Sequence, residues 1–155
     1  MREVSFLYGT GKMSHCFQEE VLSGILTSSI HDYKPELGQA ALVEEAMSNP
    51  VGSAPLNELA KGKERVVIIA SDHTRPVPSK LIIPPMLQQI RQGNPNADIT
   101  ILIATGCHRG TTTEELISKF GEEIVRNEKI YVHDCDEREM LVNIGTLPSG
   151  SPCEI

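Results

Sequence analysis

Apolar residues in this chain gather into short runs rich in β-branched side chains, and two of these runs empty abruptly into polar, ionisable loops. Val66-Val67-Ile68-Ile69-Ala70 leads into Ser71-Asp72-His73-Thr74-Arg75-Pro76, and Ile99-Thr100-Ile101-Leu102-Ile103-Ala104 leads into Thr105-Gly106-Cys107-His108-Arg109-Gly110-Thr111. Neither run alternates cleanly, a pattern that suits parallel strands covered on both faces. A third run, Lys129 to Val132, ends in His133-Asp134-Cys135-Asp136. Between the first two runs, Pro78-Ser79-Lys80 opens a helix to Arg91, which Pro84-Pro85 are expected to kink or split. Between the last two, Thr111 with Glu114, or Thr112 with Glu115, has capping-box spacing, and Gly121 interrupts the helix that follows. Strands alternating with helices at this spacing predict right-handed βαβ units. The expected fold is a three-layer, Rossmann-like α/β domain with a mostly parallel sheet and a βαβαβ core over residues 65–145.

The pattern before residue 50 is weaker. Val4 to Leu7 is a short strand candidate, Tyr8-Gly9-Thr10-Gly11-Lys12 reads as a turn, and a poorly patterned stretch follows. Lys34-Pro35-Glu36 predicts a helix start, with Leu37, Ala41, Leu42 and Ala46 at helical spacing before Asn49-Pro50 stops it. A linker, Pro50 to Pro55, precedes a short helix, Leu56 to Ala60, closed by Gly62.

Composition narrows the function classes. With 155 residues the chain is one domain or part of a larger one. A net charge of -7, no Trp and 4% aromatic residues oppose nucleic-acid binding, which needs a basic face and stacking platforms. No apolar run approaches the roughly 20 residues that span a bilayer, and the amino terminus has no signal-peptide core, so a cytoplasmic protein without membrane partners is expected. Four cysteines without a C-x-x-C pair predict reduced thiols and no structural zinc.

In parallel sheets ligands sit outside the carboxyl ends of the strands, where both ionisable loops fall. His108 follows Gly106 and precedes a helix start. An imidazole there can exchange a proton near neutral pH, or it can simply satisfy a loop carbonyl. Arg75 offers a bidentate fork for a carboxylate or phosphate. Asp72 either orients it and accepts from a hydroxyl, or ties the loop to itself. His73 reads as structural. Residues 133–136, if extended, point alternately to opposite faces, so at most two could share an ion and no metal site is expected. Gly9-Thr10-Gly11-Lys12 lacks the spacing of a phosphate loop and reads as a turn.

The stretches Ala70 to Lys80 and Ala104 to Leu116, with Phe120-Gly121-Glu122-Glu123-Ile124-Val125, Val132-His133-Asp134 and Asn143-Ile144-Gly145, resemble the amino-terminal part of the lactate racemase family. The resemblance covers most of the chain after residue 50. It implies a racemase or epimerase that inverts the carbinol carbon of a 2-hydroxy acid by hydride exchange with a nickel-pincer nucleotide. It further implies His108 as one of two proton-transferring histidines, Arg75 as the substrate-side arginine and Asp72 as its loop companion, near substrate and cofactor. Amides of residues 110–113, Thr111 and Thr112 among them, at a helix start, suit a cofactor phosphate.

The family's second catalytic histidine, its cofactor-bearing lysine and its nickel-binding histidine have no counterpart in this chain. The resemblance therefore implies the amino-terminal fragment of a larger two-domain enzyme, inactive alone and without bound cofactor, whose exposed edges favour self-association. The competing reading is a non-catalytic α/β module that holds a small carboxylate or a nucleotide phosphate on the Arg75 and His108 loops.

Overall fold

The computed structural model describes residues Met1–Ile155, which form two compact units, Met1–Glu36 and Leu37–Ile155. In the first unit, β1 (Arg2–Tyr8) and β2 (Gly11–Phe17) form an antiparallel hairpin around a two-residue turn, Gly9-Thr10. The sequence predicts β1 and the turn. It does not predict β2, whose side chains are almost all exposed and therefore carry no apolar alternation.

The second unit opens with α1 (Gln39–Ser48) and α2 (Leu56–Ala60). The first of these starts later than Lys34-Pro35 suggests, with Gly38 at its N-cap. Strands β3 (Arg65–Ser71), β4 (Asp98–Ala104) and β5 (Lys129–Val132) then form one parallel sheet in that order. Ile68 lies opposite Ile101, and Ile101 opposite Ile130. The crossover from β3 to β4 is α3 (Ser79–Gly93), and that from β4 to β5 is α4 (Thr113–Phe120) followed by α5 (Glu122–Asn127).

The prolines do not split α3, which runs unbroken through Pro84 and Pro85. Their missing N–H groups leave the Lys80 and Leu81 carbonyls unpaired within the helix, in its first turn. Ile83, Leu87 and Ile90 line the buried side of α3 at helical spacing and pack with Leu116, Phe120 and Ile124 over Ile68, Ile99, Ile101 and Ile103. Gly121 takes φ +95°, a conformation that separates α4 from α5 and that side chains resist.

The mixed α/β class and the parallel sheet are as expected, whereas the third layer is not built by this chain. All the buried strand residues lie on one face. Val67 and Ile69, on the other, are 58% and 70% exposed. The strand order steps in one direction only, and crossovers of one hand then place every helix on the same face. After β5, β6 (Asn143–Thr146) pairs antiparallel with β7 (Pro152–Glu154) in a sheet of its own, so the parallel core ends at Val132 and not near residue 145.

Candidate functional site

The chain leaves β3 at Ser71 and closes immediately on Asp72. The Thr74 amide and hydroxyl donate to Asp72 Oδ1 at 3.1 and 2.6 Å, and the Arg75 amide to the Asp72 carbonyl at 3.4 Å. An Asp two residues before Thr favours this turn because its carboxylate reaches the following amides. The neighbouring strand β4 ends at Ala104, and the His108 amide donates to the Thr105 carbonyl across Gly106 at φ +58°. Thr105 fixes this turn from beneath by donating to the His133 carbonyl at 2.6 Å.

These two turns meet. His108 Nδ1 donates to Asp72 Oδ2 at 2.6 Å. An ionised carboxylate only accepts, so the contact puts the ring proton on Nδ1 and leaves Nε2 of a neutral imidazole as a free acceptor. Asp72 is 2% exposed, while the His108 side chain is 45% exposed. Asp72, Arg75 and His108 line one cavity of about 600 Å³ at the carboxyl edge of the sheet. Lys119 of α4 donates to the Arg75 carbonyl at 2.9 Å and so anchors the loop that carries the guanidinium.

The Thr74 hydroxyl bond, with help from His108, holds the Asp72 carboxyl down at about 2 against burial, which pushes it up. The Arg109 bond and the Thr112 amide hold Glu115 at about 2 as well. Both pKa values are depressed. The stability these groups add is therefore in place above the ordinary carboxyl pKa near ~4 and is lost as pH falls through about 2.

The other site candidates have different partners from those expected. Thr111 Oγ1 lies 3.1 Å from His73 Nδ1, a contact that ties the two loops and gives His73 the structural role read from the sequence. Thr112 is the N-cap of α4: its hydroxyl accepts from the Glu115 amide, and its own amide donates to Glu115 Oε2 at 2.9 Å. Arg109 clamps the same carboxylate at 2.6 and 2.9 Å. The helix start expected to face a phosphate thus already holds an anion of its own, Glu115. Asp72 likewise uses both carboxylate oxygens within the chain.

Residues 133–136 are not extended. The Asp136 amide donates to Asp134 Oδ1 at 2.9 Å, and the resulting turn brings ligand atoms of Asp134, Cys135 and Asp136 within 4.8 Å of one another. The alternation argument against a shared ion therefore fails there; burial and then Asp136 push the Cys135 thiol up.

Sequence reasoning missed Thr74, Thr105 and Lys119. The Asp-x-Thr spacing signals the first. Nothing local signals Lys119, which lies 44 residues from the carbonyl it holds.

The class these features define is a parallel α/β domain whose strand-end loops bring a histidine–carboxylate pair and an arginine to one cavity. The chain belongs to the lactate racemase N-terminal domain family, whose model matches residues 8–155. It is similar to the lactate racemase of Thermoanaerobacterium thermosaccharolyticum, with 46% identity over all of this chain and 36% of that protein. It is also similar to the lactate racemase of Lactiplantibacillus plantarum, with 48% identity over 88% of this chain and 32% of that protein. The chain thus spans about a third of the length of these curated relatives. A solved structure of the lactate racemase apoprotein from T. thermosaccharolyticum matches with TM-score 0.88 and 44% identity over 99% of this chain and 35% of its own. A crystal structure of a Thermotoga maritima protein, 23% identical with TM-score 0.55 over 75% of this chain and 29% of its own, shares the fold alone. No helix is long and apolar enough to cross a membrane.

Proposed function

We propose that this chain is the amino-terminal part of an isomerase that racemises lactate or a related 2-hydroxy acid. The observation that carries the reading is the 2.6 Å bond from His108 Nδ1 to buried Asp72, with Arg75 on the same cavity. Asp72 orients the ring and fixes its proton on Nδ1, so that Nε2 can take the hydroxyl proton of a substrate and return it. Arg75 supplies the fork for the carboxylate, fixing the carbinol carbon beside the imidazole.

The nickel-pincer nucleotide implied by the family resemblance would supply the hydride acceptor. Of the residues of this chain expected to hold it, the Asp72 carboxylate is bonded to Thr74 and His108, the Thr111 hydroxyl to His73 and the Thr112 amide to Glu115, whereas the Thr111 amide has no partner in the chain.

The test is racemisation of L-lactate by the longer protein that carries this domain. His108→Ala should lower the rate about 10²- to 10⁴-fold, the usual worth of a positioned general base. Arg75→Lys keeps the charge but loses the fork, so it should raise KM for lactate. A His108→Ala enzyme that racemises at the parent rate would overturn the reading, and the 155-residue chain alone is expected to show no turnover.

A further inference from the structure

Two of the four cysteines sit on neighbouring turns. β4 and β5 are parallel neighbours with Ile103 opposite Val132, and the pairing continues past the strand ends. The His133 amide donates to the Ile103 carbonyl at 3.1 Å, and the Thr105 hydroxyl to the His133 carbonyl at 2.6 Å. Each chain then turns within a few residues of that tie. The His108 amide closes residues 105–108 on the Thr105 carbonyl, with Cys107 inside the turn. The Asp136 amide closes the next turn on Asp134 Oδ1, with Cys135 inside it. Both thiols are free, and Cys107 acts on the Cys135 thiol as a hydrogen-bonding neighbour.

Their surroundings give the two thiols different chemistry. Cys107 is exposed and lines the same cavity as His108, so a small oxidant reaches it directly. Cys135 is half-buried, and burial first and then Asp136 push its thiol up. Cys107 therefore meets an oxidant first, and Cys135 is its resolving partner.

We propose that Cys107 and Cys135 form a reversible disulfide that disengages His108 from Asp72. A peroxide is the oxidant. It converts the Cys107 thiol to a sulfenic acid with release of one water. The Cys135 sulfur then attacks the Cys107 sulfur, the S–O bond breaks, and the hydroxyl leaves with the Cys135 proton as a second water. Two thiols and one peroxide thus give one disulfide and two waters, and a dithiol reductant returns both thiols. The effect on His108 follows from strand order. His108 bonds back to the loop after β3, whereas Cys107 beside it faces the loop after β5, on the opposite side of β4. An S–S bond of about 2.0 Å, shorter than any non-bonded contact, draws the turn toward β5 and away from Asp72. The disulfide stands apart from the racemase reading, and only its effect on turnover rests on that reading.

The experiment treats the reduced 155-residue chain with one equivalent of hydrogen peroxide, alkylates the remaining thiols and digests with trypsin. Expected is a monomeric product in which the peptide of residues 92–109, with Cys107, is joined to that of residues 130–138, with Cys135. The joined mass is lower by two hydrogens, and dithiothreitol separates the peptides. The link is lost in Cys107→Ser and in Cys135→Ser, and the second variant stops at the Cys107 sulfenic acid. In the isotope-labelled chain, the His108 Nδ1 proton resonance held by Asp72 is expected to vanish on oxidation and return on reduction. Cys107 is exposed, so Cys107→Ser keeps the fold, and peroxide leaves its His108 resonance unchanged. Oxidation of Cys107 without a link, or a link to Cys16, Cys153 or a second chain, would overturn the disulfide. A linked chain with an unchanged His108 resonance would overturn the switch, and neither outcome depends on turnover.

Discussion

The two faces of the parallel sheet are built from nearly the same chemistry and meet opposite fates. The row Ile68, Ile101 and Ile130 faces the helices, with Ile101 wholly buried. One residue further along each strand, the row Ile69, Leu102 and Tyr131 faces the other way, and its first and last members are exposed. Apolar content therefore measures how many faces a sheet could cover, and topology decides how many it does. Here every crossover steps the same way, so α3, α4 and α5 share one face and the other keeps an apolar surface open.

The largest expected break in this comparison is on the covered face. Ile101→Ala leaves a cavity at the centre of the core, and buried Ile→Ala changes cost about 2 to 5 kcal/mol, a large share of the ~5 to 15 kcal/mol that holds a domain together. Urea unfolding of the variant should show that loss with the slope unchanged. Gly93→Ala tests the same layer at its rim. A β-carbon there would overlap the Asn57 carbonyl oxygen and crowd Ala60 of α2, backbone that cannot swing aside. The expected loss is about 1 to 3 kcal/mol, and a neutral result would mean that α2 does not sit tightly on the end of α3.

How far the sequence reaches follows the same division. Strands β3, β4 and β5 were legible because they are dense in β-branched residues, and the α4–α5 break because Gly121 sits between two helical patterns. The hairpin β1–β2 was legible only in part, since strands exposed on both sides carry no alternation to read. The unbroken course of α3 could not be foreseen from Pro84-Pro85 alone, because the stripe of Ile83, Leu87 and Ile90 holds the helix to the sheet despite the missing donors. At the site, the strand-then-loop pattern pointed to Asp72, Arg75 and His108. It could not show that Asp72 spends itself on His108 and Thr74, nor that Glu115 fills the helix start beside Thr112. Those pairings depend on the β3–β4 register and on a cap that competes with any ligand.

A smaller effect is expected from Thr112→Ala, which removes the N-cap hydroxyl of α4 while Arg109 still holds Glu115 nearby. Caps of this kind are worth about 0.5 to 2 kcal/mol, typically near ~1. The variant also frees the Glu115 amide, the one donor that the hydroxyl accepts from.

The smallest effect, and the sharpest use of the comparison, is Ile69→Asn on the open face. Ile69 lies beside buried Ile68 in the same strand, yet 70% of it meets water, so a polar replacement removes little buried area and leaves no amide unsatisfied. Surface changes of this kind usually fall within about 0.5 kcal/mol, and the urea midpoint of the 155-residue chain should move accordingly. In a longer protein that covers this face, the same substitution would bury an unpaired amide at a cost of about 1 to 3 kcal/mol. Measured in both, the difference reports whether the second face acquires a third layer. A large loss in the 155-residue chain itself, growing with protein concentration, would mean that a second copy already covers the face.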